Sequence, residues 1–162
     1  MSKRRISWLP GIVVLILAAC NSGGSSGNPV PVTSDVRLAG ADVRINGQSV
    51  NGATIMPGSG SSTLFTVTLA DPADTSMIQA MHLDYPSHDM DMMGHQETVL
   101  CYDDGTHGDQ VAGDGIYSYL DTSGSIGPHA SDCPHGTYVY SFHGEDMAGH
   151  ETNSVQCHVT VL

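Results

Sequence analysis

The densest chemistry in the chain lies in "DDGTHGDQVAGDGIY", residues 103–117. Asp103, Asp104, Asp109 and Asp114 place four carboxylates in a short span, interleaved with Gly105, Gly108, Gly113 and Gly115. Such oxygens suit Ca2+, which takes about six to eight ligands drawn from carboxylates and backbone carbonyls. The glycines let the chain turn tightly enough to aim carbonyls inward. The same residue types also build turns that need no metal, because Asp bonds backbone N–H groups two residues on and Gly accepts positive φ. Two readings therefore stand, a Ca2+ site on Asp103, Asp104, Asp109 and Asp114 or a metal-free turn. Mutual repulsion of the carboxylates argues for the first, and the sufficiency of Asp and Gly as turn formers argues for the second. The spacing is not that of an EF-hand, which requires D-x-D-x-D-G and a later bidentate Glu. A phosphate cradle is excluded by the lack of any Lys or Arg nearby.

A second constellation is "MHLDYPSHDMDMMGHQ", residues 81–96. Thioethers suit Cu(I), and imidazole suits Cu, Zn and Ni. His88, Met90, Met92, Met93 and His95 form a candidate copper set. His88, Met92 and His95 would share a face in a helical turn, and His88, Met90 and Met92 in an extended one. Pro86 and Gly94 favour a loop between strands, with Met filling gaps at a sheet edge.

Four cysteines occur, at positions 20, 101, 133 and 157. Cys101 and Cys157 lie in strand-like runs and are the expected disulfide pair, with Cys133 left in the loop "SDCPHG". Cys133 with His135, and Cys157 with His158, lack the paired spacing of a zinc site. There is no H-E-x-x-H and no P-loop in the sequence, and its G-x-S-x-G match, Gly23–Gly27, falls in the Gly/Ser-rich tether and not at an elbow after a strand, so an enzyme is not expected.

The elements that must carry these residues are strands. "TLFTVTLAD" (63–71) alternates Phe65, Val67 and Leu69 against Leu64, Thr66 and Thr68. "GTYVYSFHG" (136–144) sets Tyr138, Tyr140 and Phe142 on one face, and "SVQCHVTVL" (154–162) sets Val155, Cys157, Val159 and Val161 on one face. A period of two marks half-buried strands. Weaker runs cover 36–45, 77–85, 97–102 and 115–120. Gly, Pro, Asn and Asp punctuate the gaps. The expectation is all-β, an immunoglobulin-like β-sandwich of about seven strands over residues 36–162.

The N-terminus has a basic start, Lys3, Arg4 and Arg5, followed by the apolar run "GIVVLILAA". That is the plan of a signal peptide, and the run is shorter than the roughly 20 residues of a membrane span. "LAAC", Leu17–Cys20, resembles the lipobox of bacterial lipoproteins. The resemblance implies removal of residues 1–19 and lipidation of Cys20, and acyl chains contribute about 0.8 kcal/mol per buried methylene. Residues 20–35, "CNSGGSSGNPVPVTSD", read as the lipidated cysteine and a flexible tether. Asn21 in place of an inner-membrane retention Asp favours the outer membrane of a bacterial cell envelope. Beyond Cys20 lie all seventeen acidic residues but only Arg37 and Arg44 as bases, a net charge of about −15. Such a field repels nucleic acid and attracts cations.

A wider resemblance rests on "DDGTHGDQVAGDGIY", "GTYVYSF" and "DMAGH" (146–150). In this order they are similar to motifs of the lipid-anchored immunoglobulin-like proteins called choice-of-anchor X domain proteins. The likeness spans about residues 60–162, and His150 stands where the pattern has Asn. It implies a surface sandwich and no established reaction. The functional expectation is a binding or structural module, calcium-stabilised, with a protein or glycan partner. The alternative is a periplasmic copper-binding protein using residues 81–96.

Overall fold

The computed structural model describes residues 33–58, 60–87, 95–129 and 133–162. The chain divides between Val30 and Pro31, and the described fold belongs to Pro31–Leu162. It is an all-β sandwich of two sheets. The strands are β1 (Leu38–Ile45), β2 (Gln48–Ser49), β3 (Thr54–Ile55), β4 (Thr63–Leu69), β5 (Ile78–Pro86), β6 (Gln96–Cys101), β7 (Ile116–Asp121), β8 (Gly136–Asp146) and β9 (Val155–Val161). The order is β2-β1-β4-β7 in one sheet and β3-β9-β8-β5-β6 in the other. The longer strands coincide with the runs that alternation predicts. β2 and β3, two residues each, are additions at the sheet edges.

Alternation determines which face is buried. Phe65, Val67 and Leu69 of β4 turn inward, as do Tyr138, Tyr140 and Phe142 of β8 and Cys157, Val159 and Val161 of β9. The sheets meet at Phe65 and Tyr140, whose ring centroids are 4.7 Å apart and tilted by 53°. Each fully buried side chain of this size contributes about 1.5–3 kcal/mol. Asn46 and Gly47 both have positive φ, 50° and 79°, the requirement of the two-residue hairpin that joins β1 to β2.

One structural expectation is corrected. Cys101 and Cys157 are buried and form no disulfide. In the five-stranded sheet, β5 and β8 separate β6 from β9. Adjacent strands lie about 4.8 Å apart, so the two cysteines stand about three spacings from one another. A disulfide needs its Cα atoms within about 7 Å. Burial instead pushes the Cys101 and Cys157 thiols up to about 12. Sequence alternation placed Cys157 on the face of Val159 and Val161, which is buried, but it carries no information on strand order.

The chain leaving β7 folds around one carboxylate. Asp121, only 2% exposed, accepts from the backbone N–H groups of Ser123 (2.8 Å), Gly124 (3.1 Å), Ile126 (3.0 Å) and Gly127 (2.7 Å). The Ser123 hydroxyl adds a bond at 2.7 Å. The Tyr140 hydroxyl donates to the Ile126 carbonyl at 3.1 Å, tying this turn to the core. Nearby, the buried His129 Nδ1 and Thr63 hydroxyl are 2.7 Å apart.

Burial opposes the charge on Asp121, but the backbone donors outweigh it and hold the carboxyl below its ordinary pKa. A carboxyl lowered by folding stabilises the protein above its unfolded pKa of about 4. That stability is lost as pH falls through the folded value. Asp121→Asn should cost about 3 kcal/mol at pH 7, because an amide cannot accept from all these donors. Urea unfolding checks this, and the gap between wild type and variant should narrow as the pH falls below the folded pKa.

Candidate metal centre

The connection from β6 to β7 carries the chain from the five-stranded sheet to the four-stranded one. Its two ends are clamped by reciprocal bonds between Tyr102 and Ser118, 2.9 and 2.8 Å long. Between these ends the glycines fix the path at two tight places. Gly115 has φ +82°, and a Cβ there would lie 2.8 Å from the Pro72 Cα. Gly108 has φ +94°, and a Cβ there would lie 2.5 Å from a Leu64 methyl. At both positions only glycine satisfies the backbone and the contact together.

The aspartates divide by role. Asp103 knits the two limbs of the loop together. It accepts from the N–H groups of Gly113 (2.7 Å), Asp114 (3.2 Å) and Gly115 (3.0 Å), and from the Thr75 hydroxyl (3.3 Å). Asp109 accepts from Gly105 N–H at 2.6 Å and from Val111 N–H at 3.3 Å. Asp114 accepts from Ile116 N–H at 2.9 Å. Asp104 is exposed and caps Thr106, whose hydroxyl and N–H hold its carboxyl below the usual value. His107 stacks on Tyr102 with centroids 4.1 Å apart.

Asp103, Asp109 and Asp114 converge. Each offers one carboxylate oxygen such that all three atoms lie within 4.8 Å of one another. All three residues are half-buried, and Asp104 is not part of the group. Sequence thus named four carboxylates, and the fold gathers three. Among the described residues, the ion pairs are Arg44–Asp42, His143–Asp84 and His150–Asp146, and none reaches this group. Three hard oxygens without a basic partner are a setting that a metal ion could neutralise, and the donor set alone does not fix which ion.

A groove of about 450 Å³ opens beside the group, on the outer face of the four-stranded sheet. Asp109 and Asp114 border it, with Arg44, Leu64, Thr66 and Ile116 among its walls. Arg44 is paired with Asp42 at 2.8 Å, so the groove keeps an acidic character. Neither the groove nor the Thr75 hydroxyl has a signal in the sequence, since both depend on how loop and sheet meet.

The other candidates fare differently. His88, Met90, Met92 and Met93 lie outside the described residues, as does Cys20. His95 is exposed, and its carbonyl accepts from Ser87 N–H at 3.0 Å at the neck of the β5–β6 hairpin. No helix among the described residues is long and apolar enough to cross a membrane.

No family model matches the chain, and no curated protein matches it. Among solved structures, it is similar to a Niemann-Pick type C2 protein from Japanese carpenter ant, with TM-score 0.39 and 8% identity, covering 81% of this chain and 96% of that one. It is also similar to the Pseudomonas fluorescens alkylpurine DNA glycosylase AlkC bound to DNA containing an abasic site analog, with TM-score 0.38 and 13% identity. That likeness covers 78% of this chain and 31% of that one. Likenesses this distant bear on neither family nor function.

The loop's construction makes Asp103 its keystone. Asp103→Asn should cost about 2 kcal/mol, since one amide group cannot accept from three N–H donors. Asp104→Asn should cost distinctly less. Thermal melts of the two variants, with limited proteolysis to detect an opened loop, test the ranking. Equal effects would contradict it.

Proposed function

We propose that the chain is a lipid-anchored binding or structural module of a bacterial cell envelope whose Asp/Gly connection is clamped by Ca2+. The observation that carries the cation part is the convergence of Asp103, Asp109 and Asp114 within 4.8 Å. Ca2+ is the ion of choice because it tolerates the irregular oxygen geometry of a loop, whereas Mg2+ demands a near-ideal octahedron. Backbone carbonyls and water would complete the shell.

The anchoring part is supported by the lipobox-like "LAAC" and by the Gly/Ser-rich segment after Cys20. The tether would hold the sandwich off a membrane, with the outer membrane favoured by Asn21. The acidic groove next to the loop offers a protein or glycan partner a surface that a bound ion would help to shape. Nucleic acid is disfavoured, because seventeen acidic residues face five basic ones even before any N-terminal processing.

Thermal unfolding of the chain in calcium and in chelator tests this reading. At tenfold excess over the dissociation constant, binding to the folded state adds about 1.4 kcal/mol, a Tm rise of about 3–5 °C. Asp109→Asn and Asp114→Asn should abolish the rise. A melting temperature unchanged by millimolar calcium would sink the calcium part.

A further inference from the structure

The outer face of the five-stranded sheet carries a pair of histidines away from the Asp/Gly connection. His82 on β5 lies directly opposite His143 on β8. Met81 and Leu83 are buried, so alternation turns His82 outward. The two imidazoles stack with centroids 4.9 Å apart and planes 13° from parallel. Asp84, two residues along β5, completes the arrangement. Its Oδ2 lies 3.3 Å from His143 Nδ1, and its Oδ1 accepts from the Thr98 hydroxyl of β6 at 2.6 Å. Asp84 is therefore held from both neighbouring strands.

This is the layout of a carboxylate orienting an imidazole toward a ligand. When Nδ1–H donates to a carboxylate, the lone pair is left on Nε2 and the ring is held in direction. His82, parallel to it, presents a second ring nitrogen from the opposing strand. Residues directly opposed on antiparallel strands have Cβ atoms about 4.5–5.5 Å apart, a separation that two imidazoles can bridge to one ion. Metal–nitrogen bonds of about 2.0–2.1 Å hold the two nitrogens about 3 Å apart. With His143 held by Asp84, binding requires the His82 ring to turn out of the stack toward the same ion, a rotation about χ2, which is a soft torsion for His.

We propose that His82 and His143 bind one divalent transition-metal ion through their ring nitrogens, with Asp84 as the positioning carboxylate and water completing the shell. Imidazole selects ions of intermediate softness, and among them Cu2+ binds most tightly by the general order of divalent affinities. Ca2+, which demands oxygen, is excluded from the pair. The site is independent of the calcium reading, so failure of either leaves the other standing. It is also distinct from the candidate copper set at His88, Met90, Met92, Met93 and His95.

The experiment titrates Cu2+ into the full chain carrying serine at those five positions, followed by calorimetry and by NMR of the histidine side chains. Saturable binding is expected, with paramagnetic broadening at His82 and His143. His82→Ala and His143→Ala should each weaken affinity at least tenfold. Asp84→Asn should weaken it about tenfold while the two-nitrogen signature in the copper EPR spectrum persists, the mark of an outer-shell role. The broadening is read in the chain with His82 and His143 intact, so poor folding of an alanine variant leaves the test valid. Broadening confined to other histidines, or affinity unchanged in both alanine variants, would overturn the proposal. Unchanged affinity in Asp84→Asn would overturn the role of Asp84.

Discussion

The described sandwich must satisfy its carboxylates almost without basic side chains. Arg37 and Arg44 are the arginines of the described region, lysine is absent from it, and Arg44 is taken up by Asp42 on its own strand. The carboxylates turn instead to backbone N–H groups. Asp121 gathers four of them, Asp103 three, Asp109 and Asp146 two each, and Asp71 caps the 3-10 helix Pro72–Met77 through Ala73 N–H. Charge-assisted bonds of this kind are about twice as strong as neutral ones. Each one folds a connection around an anion, so the loops of this protein are shaped from within.

This arrangement settles hydrogen bonding without settling charge. A backbone N–H offers a partial positive charge, and the net negative charge of the domain remains. Where one carboxylate is enclosed, as at Asp121, donors outweigh desolvation and the site is complete in itself. Where three meet, as at Asp103, Asp109 and Asp114, repulsion adds to the cost of enclosure, and the donors serve the turn rather than the group. The loop that opened as either a turn or a metal site is built as a turn. Its surplus charge is what leaves room for an ion.

Much of the fold was legible because period-two alternation is a local property. Phe65, Val67, Tyr140 and Phe142 announce their faces within their own strands. Strand order is not local, and the error over Cys101 and Cys157 shows the consequence. Both are inward-facing, yet two strands lie between theirs. The same limit applied at the site. Four aspartates in one loop are visible as a motif, but nothing in their spacing says that Asp104 turns to Thr106 while the others converge. The His82–His143 pair was hidden for the same reason, since 61 positions separate residues that only the β5–β8 register brings face to face.

The two candidate ion environments differ in donor chemistry as well as place. One presents carboxylates at the crossing between the sheets, and the other presents imidazoles on the outer face of the five-stranded sheet. Oxygen donors favour calcium and reject the softer ions only weakly, whereas imidazole nitrogens reject calcium strongly. Selectivity is therefore asymmetric. A transition metal in excess would occupy both environments, while calcium would occupy only the loop.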